Sequence, residues 1–109
     1  MNIDVPRPVA AYLEAEKAKD ARALARCFDA GAVVRDEGRE HRGVAAIEAW
    51  HREANATAPY VVEPLEAFVS GEAVVVRARV SGEFPGSPTE LRHHFVLEGD
   101  RISSLEVTP

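Results

Sequence analysis

Hydrophobic and polar positions follow two different rhythms along this 109-residue chain, and the change comes near its midpoint. The first half has helical spacing. Pro8 suits a first helical turn, and Val9, Tyr12, Leu13, Ala15 and Ala18 make one stripe while Glu14, Glu16 and Lys17 stay wet, predicting a helix over about Pro8–Lys19. Asp20 is placed to cap a second short helix, ARALARCF, whose Ala21, Leu24, Ala25 and Phe28 keep helical spacing and which Gly31 stops. AVVRD, residues 32–36, reads as a short β-branched strand with Val34 and Asp36 on one face and Val33 and Arg35 on the other. EGREHRG reads as a turn. After Gly43, Ile47, Trp50, His51 and Ala54 recur at i, i+3, i+4 and i+7, predicting a third amphipathic helix that ends before NATAP.

From Tyr60 the period becomes two. YVVEPLEAFVS, EAVVVRARVSG, TELRHHFVLE and RISSLEVT are four strand-like runs whose short connections, SG, EFPGSP and GD, imply an antiparallel meander. Pro64 marks a bulge or an edge in the first of them. In the second, Val74, Val76, Ala78 and Val80 form the apolar face. Arg77 and Arg79 lie opposite, facing solvent or a partner and pairing with Glu63 or Glu66; the alternative turns Arg79 inward to clamp an acidic ligand. Helices gathered at one end and strands at the other predict an α+β fold, three helices packed on one face of a curved, mainly antiparallel sheet, in one domain over residues 1–109.

The run LRHHFVLE poses the first chemical question. Leu91, His93, Phe95 and Leu97 share one face, so His93 points with three apolar side chains into the interior, where an imidazole must find a hydrogen-bond partner or line a cavity. His94 faces the other way, toward the surface or a partner. Asp36 is inward if Val34 is, and burial there would raise its pKa toward the range useful for proton transfer; the alternative is a solvated strand-end aspartate within DEGRE. Tyr12, on the inward stripe of the first helix, is either a core residue or a hydroxyl aimed at a ligand oxygen.

Charge narrows the partners. A formal net charge of −5, with 13 Lys and Arg against 18 Asp and Glu, repels polyanions, and no basic cluster opposes this, so no nucleic-acid partner is expected. The single cysteine, Cys27, fits a small core residue in a reducing compartment. MNIDVPRPV lacks the pattern of an export signal, and no apolar run would span a bilayer, so a cytoplasmic protein with no membrane association is expected. Nothing has the spacing of HExxH, CxxC, a phosphate loop or a GxSxG elbow, and the histidines and Cys27 lack metal-ligand spacing, so no metal or other cofactor is expected.

The order of elements, with YLEAEKAKDARALARCFDAGAVVRDEG, RGVAAIEAW and FVLEGDRISSLEV as its strongest stretches, resembles the nuclear transport factor 2-like superfamily, including the SnoaL-like and ketosteroid isomerase-like proteins. The resemblance implies a cone whose sheet curls around a pocket, paired into a homodimer through the sheet's outer face. It also implies an oxyanion-donating tyrosine on the first helix and an aspartate base at the end of the first strand, spacings that Tyr12 and Asp36 occupy. The third polar group of the isomerase branch, a carboxylic acid on the penultimate strand, is replaced here by His93. Phe28, Val34, Trp50 and Phe95 are then expected to line the pocket.

Two functional classes follow. One is a cofactor-independent isomerase, cyclase or related lyase or hydrolase acting on a small apolar molecule with a carbonyl or epoxide, with Asp36 shuttling the proton while Tyr12 and His93 steady the oxyanion. The other is non-catalytic, either a ligand-binding or dimerisation module or a partner-recruiting protein whose pocket is filled by Phe28, Trp50 and Phe95, since fold alone does not decide function.

Overall fold

The computed structural model describes residues 3–109. The chain runs α1 (Arg7–Ala18), α2 (Ala21–Ala25), β1 (Phe28–Asp36), β2 (Arg39–Arg42), α3 (Val44–Thr57), β3 (Tyr60–Ser70), β4 (Ala73–Gly82), β5 (Thr89–Glu98) and β6 (Arg101–Thr108). α1 stops because Lys19 turns left-handed, at φ 58°, and the freed carbonyls of Ala15 and Glu16 take the N–H groups of Asp20 and Lys19. Asp20 then caps α2 as expected, its carboxylate accepting the N–H of Ala23 at 3.0 Å.

Three boundaries depart from the sequence reading. α2 ends at Ala25, and Phe28 opens β1 where it pairs with Ile102 of β6; the Ile102 N–H to Cys27 carbonyl bond, 2.9 Å, fixes that junction. Sheet pairing and burial of the Phe28 ring override the local helical spacing, so Gly31 lies within a strand and stops no helix. EGREHRG is a hairpin as well as a turn. Glu37 and Gly38 both hold positive φ, 52° and 76°, the geometry of a two-residue hairpin loop, and β2 returns along β1 with Asp36 opposite Arg39. α3 continues through Asn55 to Thr57, just short of Pro59.

One six-stranded sheet, in the order β2-β1-β6-β5-β4-β3, carries the fold. β3 to β6 form the expected meander, and β1 adds to β6 in parallel. Irregularities between Pro64 and Glu66 and between Val96 and Leu97 bend the sheet around the helices. Pro64 meets both expectations, lying beside a bulge on an edge strand. The concave face and the helices enclose a core that includes Val9, Leu24, Phe28, Val34, Ile47, Val76, Phe95, Ile102 and Leu105. Arg79 lies exposed on the convex face, which overturns the inward-clamp alternative; Arg77 beside it bonds Glu66 at 2.9 Å and Glu90 at 2.8 Å.

Candidate functional site

The core does not fill the cone. At its open end lies a cavity of about 840 Å³ walled by α1, the β1–β2 hairpin, α3, β3, β4, the β4–β5 connection, β5 and β6. Val62, Val80, Phe84, Leu91 and Val107 supply apolar wall, and the exposed Glu37, Arg39 and Glu53 stand at the rim. Tyr12, Asp36 and His93 all line this one cavity.

Each arrives there for a local reason. Asp36 ends β1 two residues after the fully buried Val34, so the pleat turns it to the same side. The Trp50 indole N–H, from α3, donates to Asp36 Oδ2 at 3.1 Å and fixes the carboxylate. Trp50 thus does more than supply wall: it orients the candidate base. Tyr12 is 1% exposed, its ring set edge-on to Phe28 and Phe95 at centroid distances of 6.0 and 5.0 Å. Its hydroxyl has no hydrogen-bond partner among the described residues. Burial, reinforced by the charge of Glu16, lifts that hydroxyl well above the usual tyrosine range, so it stays a proton donor.

His93 answers to the same logic. Its ring stacks on Phe95 at 6.2 Å, lies 6.4 Å from the Tyr12 ring, and leaves Nδ1 buried and without a partner among the described residues. Burial pushes its pKa below the ordinary histidine value, opposed in part by the charges of Glu16 and Asp36, so the imidazole is neutral near pH 7. No His93–Asp36 hydrogen bond forms among the described residues; the two groups face the same space without pairing. His94, on the opposite face, bonds Thr108 Oγ1 at 2.9 Å.

The expected lining needs correction. Of Phe28, Val34, Trp50 and Phe95, only Trp50 reaches the cavity; the other three are 2% exposed or less and belong to the packed core beneath it, where they support Tyr12 and His93 from behind. Cys27 is half-buried with its thiol directed to the Ala23 carbonyl, and burial raises its pKa, which fits a packing residue.

Three functional candidates escape the sequence pattern. Glu16, expected on the wet side of α1, is 4% exposed and on the cavity wall, because it lies one turn after Tyr12 on the same face. Its Oε2 is 2.7 Å from Nε2 of His51, itself 1% exposed. Tyr60, at the start of β3, lies beside Glu16 and Asn55, with the Lys19 ammonium 4.5 Å from its ring centroid. The spacing Tyr12–Glu16 was the available signal. Among the described residues, no group of three or more His, Cys, Asp or Glu side chains has an arrangement that could hold a metal ion.

This architecture has close parallels. A SnoaL-like domain matches residues 9–105. The chain belongs to the SnoaL-like family. Among solved structures, this SnoaL-like chain is 46% identical to a provisionally named polyketide cyclase from Sinorhizobium meliloti, with a TM-score of 0.92 over 96% of each chain. A ketosteroid isomerase-like fold protein from Catenulispora acidiphila, solved with trimethylamine, is 23% identical with a TM-score of 0.84 over 97% of this chain and 87% of that one. An LEH-like epoxide hydrolase from M. tuberculosis is 17% identical with a TM-score of 0.73 over 93% and 78%. The last two establish likeness of fold alone; the SnoaL-like match over residues 9–105 together with that fold places the chain in the nuclear transport factor 2-like superfamily. No curated protein matches the sequence. Among the described residues no helix is long and apolar enough to cross a membrane.

Proposed function

We propose that the chain is a cofactor-independent acid–base enzyme, an isomerase, cyclase or related lyase or hydrolase, acting on a small, mostly apolar molecule with a carbonyl or epoxide. One observation carries this reading: a carboxylate held by an indole N–H faces the same cavity as a hydroxyl and a neutral imidazole that have unused hydrogen-bonding capacity. Asp36 would take the proton. Tyr12 and His93 would donate to the oxygen on which charge develops, and the apolar wall would hold the substrate body and exclude water. The likeness to a provisionally named polyketide cyclase supports the class of chemistry.

The deciding experiment is a substrate screen across cyclic ketones, enones and epoxides with the wild-type chain and Asp36→Asn. A general base contributes about 10²- to 10⁴-fold, so the variant should lose turnover on that scale. Equal turnover in both would remove Asp36 from the mechanism. We further propose pairing into a homodimer through the convex sheet face, where Phe68 of the edge strand remains 45% exposed beside Val75. Light scattering during size-exclusion would show twice the chain mass, and a monomer at micromolar concentration would refute it.

A further inference from the structure

The buried pair Glu16–His51 costs more than a link between two helices needs. Two ionisable groups have left water, and apolar side chains of similar volume would join α1 to α3 without that desolvation. What sets the pair apart is its position between two solvent-facing spaces. Glu16 is on the cavity wall. His51 lines a separate groove of about 420 Å³ on the other side, together with Lys19, Asp20, Arg22, Arg52 and Asn55.

The hydrogen bonds leave that pair chemically open. With Nε2–H donating to Glu16 at 2.7 Å, the 3.2 Å approach of Asn55 Nδ2 to the same nitrogen joins two donors and is no hydrogen bond; Asn55 donates instead to the His51 carbonyl at 2.9 Å. His51 Nδ1 and Asn55 Oδ1 have no partner among the described residues. The ring can therefore take a proton at Nδ1 without breaking a bond there, and moving its own proton from Nε2 to Nδ1 turns Nε2 into an acceptor facing Glu16. On the cavity side, Tyr12, Tyr60 and His93 each feel the charge of Glu16 more strongly than that of Asp36. The other ionisable groups around the pair include Lys19, Asp20, Arg22 and Arg52 on the groove side and Asp36, Glu37, Arg39, His41 and Glu53 around the cavity.

We propose that Glu16 is a second acid–base group of the cavity and that His51 behind it exchanges its proton with the groove between the helices. The arrangement inverts the usual order, in which the ring meets the substrate and the carboxylate stands behind. This inference rests on the reading that the cavity carries out proton chemistry, and its test separates the two.

The test uses 5-nitrobenzisoxazole, whose elimination needs only a base in an apolar site. The base takes the C3 proton, the C–H electrons complete the nitrile, and the N–O bond breaks to leave 2-cyano-4-nitrophenolate. Glu16 passes the captured proton to His51 once the ring carries its own proton on Nδ1, which leaves Nε2 free to accept it, and the Nδ1 proton then leaves for the groove. In the Asp36→Asn chain a residual rate about tenfold or more above background should persist, and adding Glu16→Gln should abolish it. Loss of all elimination in Asp36→Asn alone would make Glu16 structural and leave Asp36 standing. Full activity in Asp36→Asn with none in Glu16→Gln would retain this proposal and reject Asp36 as the base. No elimination by the wild-type chain would reject both. Should Glu16→Gln fail to fold, Glu16→Asp in the Asp36→Asn chain decides: drawing the carboxylate back by one methylene should lower the residual rate by about 10²-fold, and an unaltered rate would overturn the proposal.

Discussion

Trp50 Nε1 donates to Asp36 Oδ2 across 3.1 Å, tying the middle of α3 to the end of β1 at the point where the strand meets the cavity. Trp50→Phe keeps an aromatic ring while removing the only indole in the chain. Misplacing a reacting group by even an ångström is costly, so kcat should fall by about 10- to 100-fold with KM little changed. The unfolding free energy should drop by about 1 kcal/mol, read by urea denaturation. A kcat equal to wild type would reduce Trp50 to wall.

Tyr12→Phe separates function from packing by the sign of its effect on stability. A core tyrosine whose hydroxyl bonds a neighbour loses stability when that hydroxyl is removed. Here the hydroxyl is buried without a partner among the described residues, so its removal should leave stability unchanged or raise it by up to about 1 kcal/mol. Turnover should nevertheless fall by about 10²-fold, the usual scale for one oxyanion donor. Melting curves and steady-state rates on the same preparation test both halves.

His93 predicts a pH dependence with a definite direction. Burial depresses its folded pKa below the unfolded value, so between those two values the unfolded chain binds more protons than the folded one. Stability should therefore be lost as pH falls below about 6.5 and level off once the folded ring is itself charged. His93→Gln, which cannot charge, should flatten that part of the curve. The difference between urea midpoints at pH 7.5 and pH 5.5 measures it, and an unchanged slope in the variant would show that other groups dominate.

Much of this was legible in the sequence because period and face decide it. The alternation in TELRHHFVLE placed His93 inward and His94 outward, and the pair Val34 and Asp36 put the aspartate on the cavity side. The failures are as instructive. Phe28 has helical spacing from Leu24, but only the distant Ile102 makes it a strand residue. Phe28, Val34 and Phe95 were correctly inward; inward in a cone means core at the closed end and cavity at the open end, and the chain pattern does not give height along the axis. Glu16 was misplaced because a carboxylate is normally exposed, and its counterpart His51 is 35 positions away.

Gly82 lets the start of β3 approach the end of β4 by its lack of a side chain. It pairs with Tyr60 across the β3–β4 ladder, and a Cβ built there would stand 2.6 Å from the Pro59 carbonyl oxygen and 3.2 Å from the Tyr60 Cβ. Both obstacles lie next to the main chain, so neither can swing aside as a long side chain would. Gly82→Ala must push the start of β3 outward, carrying Tyr60 away from Glu16 and the Lys19 ammonium that holds its carbonyl. The expected cost is about 1–3 kcal/mol of unfolding free energy, the scale of an overpacked contact. Tyr60 fluorescence would be masked by Trp50, so the displacement is best followed by hydrogen exchange of the β3 amides, which should quicken at Tyr60 to Val62 and remain slow in β5 and β6; unaltered exchange there would show that the strand absorbs the methyl group without moving.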